Sequence, residues 1–209
     1  MPKPGFNLYL ITDRTQTKGR DLLWLIEQAL DGGVKAIQLR EKDLAGRDLF
    51  LLAEKARNLC QNYGSSLFVN DRLDIALAVS ATGVQLGNAS VPIALARQLL
   101  GAQKMIGVST HSLSEALEAQ EQGADFVLFG PVYFTPSKAG YGEPQGLNKL
   151  KEIVEKISIP VYAVGGIKLA NILDIRSTGV SGIALISGIM SSDDPKRATS
   201  ELLRMIGSA

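Results

Sequence analysis

A single (β/α)₈ barrel is the fold predicted by this chain of 209 residues. Eight short, β-branched apolar runs alternate with amphipathic stretches of helical spacing, the pattern of buried parallel strands and the helices that cover them. Polar and glycine residues directly follow nearly every run, which is where a barrel of this type places its active site. An open doubly wound sheet, the rival architecture, would concentrate such residues at one switch point. No Pro/Ser/Gly-rich linker divides the chain, so residues 1–209 are expected to form one domain.

Taken in order, the expected strands are Asn7–Asp13, Ala36–Arg40, Ser66–Asp71, Gly83–Gly87, Met105–Thr110, Phe126–Val132, Val161–Gly165 and Ile183–Ser187. The clearest helical stretches are Leu22–Gly32, Asp48–Tyr63, Ser112–Gln122, Leu147–Lys156, Leu169–Thr178 and Pro195–Met205. Gly32-Gly33, Gly64, Gly123 and Gly179 sit where helices end before the next strand, the usual place for a glycine cap. The longest loop-like stretch, Tyr133–Gly146, follows the sixth strand and holds two prolines and three glycines. At the catalytic face such a connection reads as a lid or binding loop.

Composition narrows the function classes. Hydrophobic residues make up 45% of the chain, and 22 basic against 21 acidic residues leave a net charge of +1. That balance offers no footprint for nucleic acid or an acidic membrane, so any anion site must be local. The lone cysteine, Cys60, excludes an internal disulfide and suits a reducing cytoplasm. No apolar run is long enough to span a bilayer, and the N-terminus enters a strand with no signal-peptide pattern. A cytoplasmic enzyme is the expectation. Its apolar helix faces fit a homodimer as well as they fit packing on the barrel.

The residues at the strand ends suit a phosphorylated ligand. Arg40 and Lys42 combine a guanidinium fork with a point charge, apt for phosphate or diphosphate. The competing reading is a salt bridge to Glu41 and Asp43. Asn70-Asp71 could hold Mg²⁺ alongside substrate phosphates, but on sequence alone the favoured role of Asp71 is to cap a helix starting near Leu73. Gly165-Gly166-Ile167 and Ser187-Gly188 follow the last two strands, where barrels bind phosphate through backbone N–H groups. Thr135, Ser137 and Lys138 in the long loop could close over that phosphate. His111, the only histidine, could move a proton near neutral pH. Ser112 and Glu115 beside it form a helix-capping box, and both readings can hold together. Neither a nucleophile elbow nor a dinucleotide fingerprint is present.

In this order, Tyr9-Leu10-Ile11-Thr12-Asp13-Arg14, Gln38-Leu39-Arg40-Glu41-Lys42, Val69-Asn70-Asp71-Arg72, Gly107-Val108-Ser109-Thr110-His111, Gly130-Pro131-Val132, Thr135-Pro136-Ser137-Lys138 and Gly165-Gly166-Ile167 resemble the thiamin phosphate synthase superfamily, which includes the TenI-type thiazole tautomerases. The resemblance covers nearly the whole chain. For a synthase it implies that Gln38, Arg40, Lys42, Asn70 and Lys138 hold a hydroxymethylpyrimidine diphosphate, with Asp71 on Mg²⁺ and Ser109 on the pyrimidine. It implies that Thr135, Ser137, Gly166, Ile186 and Ser187 hold a thiazole phosphate.

The pattern departs after the fourth strand. Gly83-Val84-Gln85-Leu86-Gly87-Asn88-Ala89-Ser90 has Gln85 where synthases resemble a His, and Ser90 where they resemble a second Mg²⁺-binding Asp. Asp13 and Asp74 are spare carboxylates that could compensate. Together with Val127-Leu128-Phe129-Gly130, the departure resembles the tautomerase branch, which needs no metal and uses a histidine matching His111 as general acid/base. The leading expectation is therefore a thiazole tautomerase, with a Mg²⁺-dependent thiamin phosphate synthase as the alternative. A non-catalytic sensor of a phosphorylated ligand is the third.

Overall fold

The computed structural model of the chain describes residues 4–135 and 143–207. Eight parallel strands close into a barrel in sequence order, with β1 pairing to β8. They are β1 Leu8–Ile11, β2 Ala36–Leu39, β3 Ser66–Asn70, β4 Gly83–Leu86, β5 Met105–Thr110, β6 Phe126–Phe129, β7 Val161–Val164 and β8 Gly182–Leu185. The covering helices are α1 Leu22–Asp31, α2 Gly46–Asn62, α3 Leu73–Ala78, α4 Ile93–Leu100, α5 Leu113–Glu121, α6 Gly146–Lys156, α7 Ile172–Arg176, α8 Ser187–Met190 and α9 Pro195–Ile206. No helix among the described residues is long and apolar enough to cross a membrane.

Local chemistry explains the boundaries. Asp21, Ser112 and Asp194 accept the backbone N–H of Trp24, Glu115 and Arg197, and so cap α1, α5 and α9. Gly33, Gly64, Gly123 and Gly179 adopt positive φ just past α1, α2, α5 and α7, as the glycine spacing predicts. The sequence pattern runs beyond the regular ladder because buried residues continue past it. Val132 is 1% exposed and its N–H donates to the Val164 carbonyl at 2.9 Å, yet β6 stops at Phe129, ahead of Pro131, which has no N–H to give.

Alternation along each strand sorts the core into two sets. Outward residues such as Leu10, Ile37, Val69, Val84, Ile106, Val127 and Ile183 meet the helices. Inward residues fill the lumen, where Phe6, Tyr9, Phe68, Phe126 and Tyr162 pack ring against ring with centroids 5.0–5.9 Å apart. The Tyr162 hydroxyl donates to the Phe6 carbonyl at 2.7 Å, tying this plug to the segment that enters the barrel. Below it, at the N-terminal strand ends, Arg97 pairs with Asp125 and donates to the carbonyls of Gly101, Lys104 and Gly123. Cys60 is buried on α2 and its thiol is pushed up to about 12 by that burial, the inert role its sequence context implies.

Candidate functional site at the C-terminal strand ends

Above the aromatic plug the lumen turns polar. The strand register gives Gln38, Asn70, Gln85 and Ser109 the same inward parity as Phe68 and Phe126. Gln85 Nε2 donates to Ser109 Oγ at 3.2 Å. Gly107 makes room for that glutamine: a Cβ there would lie 2.4 Å from Gln85 Oε1 and from the Phe126 ring. Gln38 Nε2, Gln85 Oε1 and the Tyr9 hydroxyl are buried without a hydrogen-bond partner among the described residues. Buried polar groups are normally paired, so these three leave hydrogen-bonding capacity in the chamber. Burial also keeps the Tyr9 phenol protonated well above its usual range. Gln85 enters the site as a residue the sequence marked only as a departure.

The acidic neighbours of Arg40 and Lys42 are taken by another residue. Arg14 lies 3.2 Å from Glu41 and 2.8 Å from Asp43. Glu41 is buried, and it also accepts the Thr12 hydroxyl at 2.6 Å and the Arg14 backbone N–H at 3.1 Å. Thr12 Oγ1 in turn accepts the Arg40 backbone N–H at 3.0 Å. This network fixes the chain that carries Arg40 and Lys42, while neither side chain forms an ion pair among the described residues. The salt-bridge reading of Glu41 and Asp43 holds, but with Arg14 as the partner. Two cations are left at the mouth.

Asp71 does not cap the helix after β3, contrary to the role its sequence favours. The N-cap of α3 is Arg72, and no side chain caps that end. Asp71 adopts φ +60°, a left-handed conformation that aspartate tolerates better than most residues. Its Oδ2 accepts Asn70 Nδ2 at 2.7 Å and its Oδ1 accepts the Ser90 hydroxyl. Ser90 Oγ also accepts the Gly87 N–H at 2.7 Å, which orients its proton toward the carboxylate. The spare carboxylates do not join this group. Burial pushes the Asp13 carboxyl up, but hydrogen bonds from Thr15 and Gln16 outweigh it and hold the group below its usual value. Arg72 holds Asp74 in the same direction through bonds of 2.6 and 2.9 Å.

The Mg²⁺ that the resemblance implies is poorly matched by these donors. One carboxylate is present, both its oxygens already accept a hydrogen bond, and no group of three acidic, histidine or cysteine side chains gathers among the described residues. A preformed octahedral oxygen site asks for more than this.

His111 directly follows β5 with its Nδ1 against the Gly130 carbonyl, so Nδ1 carries the donated proton. Its backbone N–H donates to Glu115 Oε2 at 2.7 Å, while the Glu115 N–H donates to Ser112 Oγ at 3.2 Å. Ser112 caps α5 as expected, but Glu115 accepts the His111 N–H and not the Ser112 N–H of a reciprocal box; the two bonds together fix the turn that carries the imidazole.

After β7, Gly165 and Gly166 adopt φ +96° and +65°. A Cβ on Gly166 would come within 2.7 Å of the Phe134 carbonyl, and one on Gly165 within 2.6 Å of Pro131. These glycines let the segment after β6 lie against the β7 turn, with Tyr133 N–H donating to the Gly165 carbonyl at 3.1 Å. The N–H groups of Gly166 and Ile167 make no hydrogen bond among the described residues. Ile186 precedes α8, and Ser187 opens it exposed to solvent. Thr135 is half-buried at the edge of this corner. Ser137 and Lys138 lie outside the described residues.

Comparison with known proteins agrees with this geometry. The family model described as "Thiamine monophosphate synthase" matches residues 8–189. A protein of Geobacter sulfurreducens provisionally named thiamine-phosphate synthase is 52% identical across 99% of this chain and 97% of its own length. The thiamine-phosphate synthase of Clostridium novyi is 46% identical across 95% and 97%. The solved thiamine phosphate pyrophosphorylase of Pyrococcus furiosus superposes with a TM-score of 0.89 and 40% identity, covering 97% of this chain and 96% of that one. A 3-hexulose-6-phosphate synthase, at 20% identity and a TM-score of 0.72, shares the fold alone. These names favour a synthase over the tautomerase that the fourth-strand departure suggests. On a match that spans all eight strands, the chain belongs to the thiamine monophosphate synthase (TMP-TENI) family of thiamine biosynthesis.

Proposed function

We propose that this protein is a thiamine-phosphate synthase, joining a hydroxymethylpyrimidine diphosphate to a thiazole phosphate with release of pyrophosphate. The observation that carries this reading is the pair of cations at the end of β2. Arg14 engages Glu41 and Asp43, so Arg40 and Lys42 remain available to a diphosphate. A tautomerase acting on a monophosphate held at β7 and β8 has no evident use for them.

In this reaction the bond between the pyrimidine methylene carbon and the diphosphate oxygen breaks as the bond to the thiazole ring forms. Positive charge develops on the pyrimidine and negative charge on the departing diphosphate. Arg40 and Lys42 meet that negative charge, Arg40 as a fork and Lys42 as a point charge. Gln38, Asn70 and Ser109 face the chamber where the pyrimidine would sit. Gly166, Ile186, Ser187 and Thr135, with Ser137 of the loop, take the thiazole phosphate, and Lys138 of the loop joins Arg40 and Lys42 on the diphosphate. The aromatic plug excludes water from below, which favours transfer to thiazole over hydrolysis.

The test is pyrophosphate release on mixing the two substrates. Release that requires both supports the synthase. Isomerisation of a carboxythiazole phosphate, abolished in His111→Ala, with no pyrophosphate release would return the tautomerase reading.

A further inference from the structure

We propose that Arg20 is a positioning residue for the thiazole phosphate: it ties the short helix α8, which opens with Ser187, to the loop after β1. The inference rests on the placement of that phosphate in the synthase reading and adds a residue that acts on it through others.

Three backbone carbonyls take the Arg20 guanidinium. Nε donates to Thr17 at 2.9 Å, Nη1 to Ser192 at 2.6 Å and Nη2 to Met190 at 2.9 Å. The first carbonyl belongs to the loop after β1, and the other two lie at the C-terminal end of α8. Carbonyls at a helix end have no partner within the helix, and a guanidinium there satisfies them by hydrogen bonding and by charge. The guanidinium carbon also sits 5.9 Å from the Trp24 ring centroid, a cation–π distance that holds the fork in place. Two more side chains stitch the same surfaces together. Ser191 Oγ donates to the Gln16 carbonyl at 3.1 Å, and Lys18 pairs with Asp193 at 2.7 Å.

The loop is bent to make these contacts. Lys18 has φ +54° and Gly19 φ +78°. A left-handed lysine is unfavourable on its own and persists where the surrounding bonds over-determine it. The strained turn sits between the two side chains that reach across, Lys18 and Arg20.

Helix α8 passes this placement on. The Met190 N–H donates to the Ile186 carbonyl at 3.0 Å, and the Ser191 N–H donates to the Ser187 carbonyl at 3.1 Å. The residues that Arg20 and Gln16 grip are thus bonded directly to the two that are proposed to meet the phosphate. Ile189 and Met190 are fully buried and set the depth of the helix. Burial is non-directional, so the carbonyl bonds are what fix its rotation. The same loop begins at Arg14, which braces Glu41 and Asp43 at the diphosphate end. Arg14 and Arg20 therefore serve different half-sites, and this gives the role of Arg20 a distinct signature.

The experiment compares Kd for thiazole phosphate with Kd for inorganic pyrophosphate, both by calorimetry, well below the unfolding transition. Arg20→Met keeps an unbranched stem and removes all three donors. It should weaken thiazole phosphate binding about tenfold, the scale of one misplaced hydrogen bond to an anion, and leave pyrophosphate binding unchanged. Arg20→Lys, which keeps the charge but not the fork, should show a smaller loss for the same ligand. Ser191→Ala should also weaken thiazole phosphate alone. If Arg20→Met does not fold, these two milder variants are judged by the same split. Thiazole phosphate binding at wild-type strength in the folded variants would overturn the proposal. So would an equal loss for both ligands, which would place the effect on the whole barrel. Either result leaves the synthase reading standing, because pyrophosphate release from the two substrates tests that separately. If the wild type binds no thiazole phosphate, both fall together.

Discussion

Arg14 stands between Glu41 and Asp43, 3.2 Å from the first carboxylate and 2.8 Å from the second. The residue that makes the β2 end cationic is thus on the β1 loop, 26 positions before Arg40. Replacing Arg14 by alanine should release both carboxylates toward Arg40 and Lys42. The expected result is weaker pyrophosphate binding by about tenfold, or 1.4 kcal/mol. Loss of the hydrogen bond to the buried Glu41 carboxylate should also cost about 1–3 kcal/mol of stability. Calorimetric titration and a denaturant melt check the two effects. Unchanged pyrophosphate affinity would show that Arg14 does not shield the cations.

Gly166→Ala should damage the phosphate corner. The position requires φ +65°, and a methyl group would meet the Phe134 carbonyl at 2.7 Å and the Tyr133 side chain at the same distance. A strained backbone and a forced shift of the segment after β6 together cost about 1–3 kcal/mol. KM for the thiazole phosphate should rise more than KM for the pyrimidine diphosphate. An equal rise in both would place the effect on the whole barrel.

Asp125→Ala should separate stability from activity. The Asp125 side chain is 2% exposed, pairs with Arg97 and accepts the Ile106 N–H at 2.7 Å. Breaking a buried pair from one side costs about 3–5 kcal/mol. The pair lies at the N-terminal strand ends, which in this fold serve stability. The denaturation midpoint should fall sharply while kcat of the folded fraction stays near wild type. A large loss of kcat at full folding would contradict that assignment.

The pH dependence of stability should have two limbs. Asp13 and Asp74 titrate below their usual value of 3.8, so their contribution is complete above about 4 and is lost as pH falls through the folded values. Asp74 is exposed and Asp13 half-buried, so solvent screening makes this acid limb shallow. Tyr9 and Tyr162 titrate above 10.0 because they are buried, so stability falls as pH rises beyond the unfolded value. Tyrosinate absorbance from these two should appear with unfolding and not before it. Denaturant midpoints across the pH range, with parallel absorbance, provide the check.

The eight strands were legible because each is a short run with an apolar outward face, buried on both sides, a signal that survives without knowledge of the partners. Helices α3, α4 and α8 were not delimited. On α4 the exposed side carries Leu95 and Leu99, 43% and 57% accessible, so no polar face marks it as amphipathic. The cations and glycines of the site could be read from their places after strands. Their partners could not, because Arg14 and Glu41 are 27 residues apart and Ser90 and Asp71 are 19. Asp71 shows the limit most clearly. Local spacing favoured a helix cap, whereas closure of the barrel brings the β4 loop to its carboxylate. The branch expectation turned on Gln85 and Ser90 after β4 and on Val127-Leu128-Phe129-Gly130; the names of the relatives favour the synthase alternative instead, and the availability of Arg40 and Lys42 is visible only in the folded chain.

The plug of Phe6, Tyr9, Phe68, Phe126 and Tyr162 has a kinetic corollary. With one end of the bore stoppered by rings, reactants and products must share a single doorway. A departing anion retraces the route by which its parent came in, and the next molecule waits until that passage clears. Turnover in such a vessel is governed as much by emptying as by filling.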